Sequence, residues 1–263
     1  MLHREGIYFA VLKTIRFSNK EPPVRFIAWP LEVFCDNIVR ISIMNVSFKT
    51  KSPLVLYIHG KGGNAAECKH YKPLFPAREV IGLDYQTSTP WEAEEEIRGE
   101  VERLKKEYED ITLIANSIGA FFCMVAGIEG MISKAYFISP VVDMERLICE
   151  VMGFVNVTEE QLEAEGVIPI VSGEDLSWDY LCYVREHPIK WSAPTEILYG
   201  ENDNLTSSET VVSFAREHNA KLTVMEGGEH WFHTEDQMRF LDEWIRKCEA
   251  SALPSPPQTE DIL

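Results

Sequence analysis

Ile114-Ala115-Asn116-Ser117-Ile118-Gly119-Ala120 compresses the end of a strand, a turn and the start of a helix into seven residues. The run 111–115, apolar apart from Thr112, reads as a buried strand. Residues 118–128 follow as a helix. Ser117 is left as the turn residue, with small Ala115 and Gly119 two positions to either side. A serine on so sharp a turn takes a strained backbone conformation, and larger flanking side chains would collide with neighbouring backbone. The turn lifts the hydroxyl above the sheet. The positive end of the following helix then lies beneath any negative charge that develops there.

The same rhythm extends in both directions. Residues 54–58, 79–84, 135–138, 196–199 and 221–225 read as further strands. Residues 91–108, 207–218 and 234–248 carry apolar positions at helical spacing, with Ile97, Val101, Leu104 and Tyr108 on one face of the first. Strand-helix alternation predicts an α/β fold: a mostly parallel central sheet with helices on both faces. Nearer the start, 7–17, 24–29 and 38–48 read as strands whose pairing the sequence leaves open. Residues 143–191 break the alternation and read as an insertion of short helices and loops, rich in aromatics, with eleven acidic and three basic residues. We expect one domain over 1–250, with the insertion as a lid, and a disordered Pro-rich tail over 251–263.

The chain has 263 residues and a formal charge of −17. That charge disfavours nucleic acid and anionic membrane surfaces as partners, and a small-molecule substrate is expected instead. No apolar run approaches the roughly 20 residues that a membrane span needs. The N-terminus does not read as a secretory leader, which points to a cytoplasmic location with reduced thiols. The six cysteines (Cys35, Cys68, Cys123, Cys149, Cys182 and Cys248) are irregularly spaced and read as small apolar fillers, so no metal is expected. Nothing in the sequence indicates the oligomeric state.

The segment around Ser117 resembles the nucleophile elbow of the α/β-hydrolase superfamily, Gly-x-Ser-x-Gly, with Ala115 at the first glycine position. His59-Gly60-Lys61-Gly62-Gly63 follows the first central strand and is similar to the family's oxyanion loop. Tyr199-Gly200-Glu201-Asn202-Asp203 and Gly227-Gly228-Glu229-His230 follow later strands, where the family places its acid and its base. The resemblance covers about residues 54–247 and implies a set of three groups in the superfamily's order, Ser117, Asp203, His230. It implies backbone N–H donors at Lys61, Ile118 and Gly62 for an oxyanion, no cofactor, and a lid at 143–191.

Each of these residues has a plainer alternative. Ser117 could be a helix N-cap and Asp203 a turn former, and His230 could be a loop histidine. Glu201 and Asp143 are rival acids, and His233 is a rival base. His59 reads as a loop-orienting residue, Asp84 as a turn former, Cys123 as core and 92–96 as a solvated helix face. Trp178, Tyr183 and Trp231 are candidate substrate contacts; packing of the lid or of the loop is the other reading. The expected activity is hydrolysis of a carboxylic ester of a small uncharged substrate through an acyl-enzyme. An aminopeptidase-like amide hydrolase, a thioesterase and a catalytically silent binding module of the same fold are the alternatives.

Overall fold

The computed structural model describes residues 52–171 and 174–252. The expected strands at 7–17, 24–29 and 38–48 and most of the expected tail lie outside them. Six parallel strands form the central sheet: β1 (Leu54–Ile58), β2 (Glu79–Leu83), β3 (Ile111–Asn116), β4 (Lys134–Ile138), β7 (Thr195–Gly200) and β8 (Lys221–Met225), in the spatial order β2-β1-β3-β4-β7-β8. β1 and most of β3 are buried on both faces, and their sequences accordingly do not alternate.

Successive side chains of each strand enter two different cores. Leu54, Leu56, Leu113 and Phe137 face α1 (Pro90–Leu104), α2 (Ile118–Val125) and α6 (Ser208–Glu217). Val55, Tyr57, Ile114 and Tyr136 face the opposite layer, formed by two short 3-10 turns (Ala65–His70 and Lys72–Leu74) and α7 (Glu235–Ala252). Ile97, Val101 and Leu104 dock α1 at the predicted spacing, and Leu241, Trp244 and Ile245 dock α7. The last helix takes in Ser251 and Ala252, the first two residues of the predicted tail.

The stretch 143–191 holds α3 (Met144–Val155), α4 (Glu159–Glu165), a two-stranded antiparallel ribbon of β5 (Val167–Ile168) and β6 (Leu176–Ser177), and α5 (Trp178–Glu186). The ribbon is absent from the sequence reading, because two-residue strands leave no period to detect. Met152, Leu162, Leu176 and Leu181 give the insertion a small core of its own. Among the described residues no helix is long and apolar enough to cross a membrane.

Leu113 is wholly buried at the centre of the sheet. Leu113→Ala should lower unfolding free energy by about 2–5 kcal/mol. Urea denaturation should show this as a lower midpoint with an unchanged slope.

Candidate active site

Ser117 joins β3 to α2 with φ 50° and ψ −121°, a left-handed conformation that a residue with a Cβ adopts only at a cost. Its neighbours hold it there. Its N–H donates to the Ile138 carbonyl at 3.0 Å, extending the β3–β4 ladder one step past the strand, and its own carbonyl accepts from Val141 N–H at 3.1 Å. The flanking residues must be small for a concrete reason: a Cβ on Gly119 would run into the His59 carbonyl oxygen. Gly60 passes so close that a Cβ there would lie 3.2 Å from the Ser117 Cβ.

The acid and base arrive on the loops after β7 and β8. These loops touch through glycine: a Cβ on Gly200 would sit 2.6 Å from the Gly228 carbonyl. Asn202 N–H donates to that same carbonyl at 2.7 Å and ties the loops together. Ser117 Oγ lies 2.8 Å from His230 Nε2, and His230 Nδ1 lies 2.7 Å from Asp203 Oδ2. The Asp203 side chain is fully buried. Its second oxygen accepts from Leu205 N–H at 2.8 Å and Thr206 N–H at 3.0 Å, which fixes the carboxylate plane. A carboxylate facing Nδ1 selects the tautomer with its proton there, so Nε2 is left as an acceptor for the serine O–H.

The rival residues are engaged elsewhere. Asp143 caps α3 by accepting from Arg146 N–H at 2.9 Å. Glu201 accepts from Gly227 N–H at 2.9 Å. His233 Nδ1–H donates to the Trp231 carbonyl at 2.7 Å. His59 stacks on Tyr85 with ring centroids 4.3 Å apart, and the Tyr85 hydroxyl donates to its carbonyl at 2.7 Å, so it braces its loop. Cys123 is buried in α2, and burial pushes its thiol well above the ordinary range.

Gly60 to Gly63 form a turn closed by Gly63 N–H donating to Gly60 O at 3.1 Å, with Gly62 at φ 72°. That bond leaves the N–H groups of Lys61 and Gly62 without an acceptor among the described residues. Ile118 opens α2, where backbone donors also have no intrahelical partner.

Ser117 and His230 border a cavity of about 750 Å³ on the α7 side of the sheet. Lys61, Gly62, Tyr57, Tyr71, Asn116 and Phe232 are among its lining, and Trp231 stands at its edge, 73% exposed. Two expected substrate contacts are not there. Trp178, partly buried, packs against the core of the insertion. Tyr183 meets Trp91 of α1, and its hydroxyl donates to Glu94 at 3.0 Å. Among its described residues the insertion contributes nothing to this cavity lining, and it reaches the site's surroundings through an ion pair of Glu174 with Lys61 at 3.1 Å. Sequence reasoning missed Tyr57 and Tyr71, since an aromatic that lines a cavity has the same pattern as one that fills a core; Phe232, weighed with Trp231 as a pocket residue or a loop anchor, does line the cavity.

Comparison with protein-family models gives no match, and neither does comparison with curated proteins. Solved structures do match. Est1E from Butyrivibrio proteoclasticus is 21% identical, aligns over 77% of this chain and 88% of its own, and has a TM-score of 0.59. A putative hydrolase from Agrobacterium vitis S4 is 17% identical over 75% of this chain and 88% of its own, with a TM-score of 0.61. Mouse alpha/beta hydrolase domain-containing protein 10 is 15% identical over 77% of this chain and 91% of its own, with a TM-score of 0.59. At these identities the likeness is one of fold.

The strain at Ser117 is measurable without any substrate. Ser117→Gly and Ser117→Ala both remove the hydroxyl, but only glycine relieves the positive φ. The glycine variant should therefore be the more stable of the two by about 1 kcal/mol in chemical denaturation.

Proposed function

The chain has the α/β-hydrolase fold, and from that premise we propose that it is a serine hydrolase cleaving carboxylic esters of small substrates through an acyl-enzyme. One observation carries the reading: an unbroken hydrogen-bonded path from Ser117 Oγ through His230 to a buried Asp203, opening on a cavity. A serine hydroxyl is a poor nucleophile at neutral pH, and an adjacent imidazole removes that obstacle.

In the first half-reaction Ser117 Oγ attacks the ester carbonyl as its proton passes to His230 Nε2. Asp203 stabilises the imidazolium that results and remains ionised. The negative charge collects on the former carbonyl oxygen, where the N–H groups of Ile118 and of Lys61 or Gly62 are the available donors. A single donor of this kind is worth about 3–4 kcal/mol of transition-state stabilisation. The tetrahedral intermediate collapses by breaking the bond to the alkoxy oxygen, which leaves with the proton from His230. Water then attacks the acyl-enzyme with His230 again as base, which frees the acid and restores Ser117.

A fluorophosphonate probe should label the folded protein, and Ser117→Ala should abolish the label. An unlabelled folded protein would point to a binding module with this fold. Asp203→Asn keeps the shape but permits the wrong imidazole tautomer, so kcat on a p-nitrophenyl ester should fall on the order of 10⁴-fold.

A further inference from the structure

A chain of side-chain hydrogen bonds beside the nucleophile has no part in the reaction above. The Tyr57 hydroxyl is its hub: it accepts from Asn116 Nδ2 at 2.9 Å and donates to Glu67 Oε2 at 2.5 Å. Glu67 Oε1 accepts from Asn64 N–H at 3.1 Å. One end of the chain is therefore the residue directly before Ser117, and the other is the residue directly after the glycine turn 60–63. Tyr57 is wholly buried, and burial, reinforced by Tyr71 and Glu67, pushes its phenol far up, which keeps the hydroxyl a donor.

The two ends need a tie of this kind. β1 and β3 pair as far as Ile58 and Ala115. Past that pair, β1 runs into the loop that carries Lys61 and Gly62, and β3 into the turn that carries Ser117 and Ile118. The candidate oxyanion donors come from both segments, and such donors act only when all lie within about 2.7–3.1 Å of one point. Glu67 bears directly on the loop: a Cβ on Gly63 would lie 2.9 Å from Glu67 Oε1. It belongs to the 3-10 turn Ala65–His70, which His70 Nε2 anchors to α7 through Asp242 Oδ1 at 2.8 Å. At the other end Asn116 Oδ1 is buried without a partner, so the amide is oriented through its nitrogen. Phenylalanine at position 57 would fill the same space; what the hydroxyl adds is direction.

We propose that Tyr57 and Glu67 are positioning residues: the link Asn116–Tyr57–Glu67–Asn64 holds the loop of Lys61 and Gly62 in register with the turn of Ser117 and Ile118. The effect on rate rests on the serine hydrolase reading, whereas the mechanical link stands on the hydrogen bonds alone. Loss of the link displaces donors that matter most when charge develops, so it slows turnover and leaves substrate binding in place.

Tyr57→Phe removes the hub. Its kcat on a p-nitrophenyl ester, counted per site titrated with the fluorophosphonate probe, should fall about 10–100-fold with KM nearly unchanged. Glu67→Ala, at an exposed position that folding tolerates more readily, should show the same split. Glu67→Gln keeps the cap and a polar group against the hydroxyl, and it should recover most of the rate. A kcat per site that stays at the wild-type value in Tyr57→Phe and Glu67→Ala overturns the proposal, and so does a loss confined to KM. Amide hydrogen exchange reads the link without turnover. In Tyr57→Phe the Gly63 and Asn64 N–H groups should exchange about tenfold faster, while the amides of α1 keep their wild-type rates. Unchanged exchange at Gly63 and Asn64 overturns the proposal. A wild type that neither turns over esters nor takes the probe, with faster exchange in Tyr57→Phe, would instead reject the hydrolase reading and leave the link standing.

Discussion

The backbone of Ser117, held at φ 50° between β3 and α2, is the constraint around which the molecule is arranged. A left-handed residue with a side chain is unstable in isolation, so its surroundings must over-determine it. They do so from both sides. The ladder to β4 grips the Ser117 N–H, Val141 N–H grips its carbonyl, and Gly60 and Gly119 allow the β1 loop to close over the turn without a clash. The strand order follows the same need. β3 is flanked by β1, whose loop carries Lys61 and Gly62, and by β4, which anchors the turn.

Rigidity of the second component comes from a different source. The Asp203 side chain has no exposed surface, and its oxygens accept from two backbone N–H groups as well as from His230. A buried carboxylate is costly unless its lone pairs are met, and here meeting them also fixes its direction. The glycines at positions 200 and 228 bring the two loops into contact, so the imidazole is already oriented toward the serine. In the proposed serine hydrolase, such preorganisation would spare the chemistry the cost of arranging dipoles during the reaction.

The insertion and the cavity occupy different surroundings. Tyr180 and Tyr183 of the insertion pack on Trp91 of α1, one side of the sheet. The cavity is built by the 3-10 turn near Tyr71 and by the loop and helix that follow His230, on the other. Among its described residues the insertion approaches the oxyanion-loop candidates through Glu174, whose bond to Lys61 joins two well-exposed side chains and is worth roughly 1 kcal/mol or less.

The linear chain determined the parallel sheet and the short set of candidates from which the three aligned groups come. Strands buried on both faces need continuous apolar runs, and a turn as tight as that at Ser117 accepts only small neighbours, so the first constraint is written locally at 54–58 and the second at 115–119. The choice of Asp203 over Glu201 and Asp143, and of His230 over His233, needed the fold, because each choice depends on which loops meet across glycine contacts distant in sequence. The cavity wall was likewise a tertiary decision. Tyr57, Tyr71 and Phe232 come from a strand, a short turn and a loop far apart in the chain, and an apolar ring has one pattern whether it fills a core or faces a space. Only their assembled positions separate the two cases, and the same assembly sends Trp178 and Tyr183 into packing.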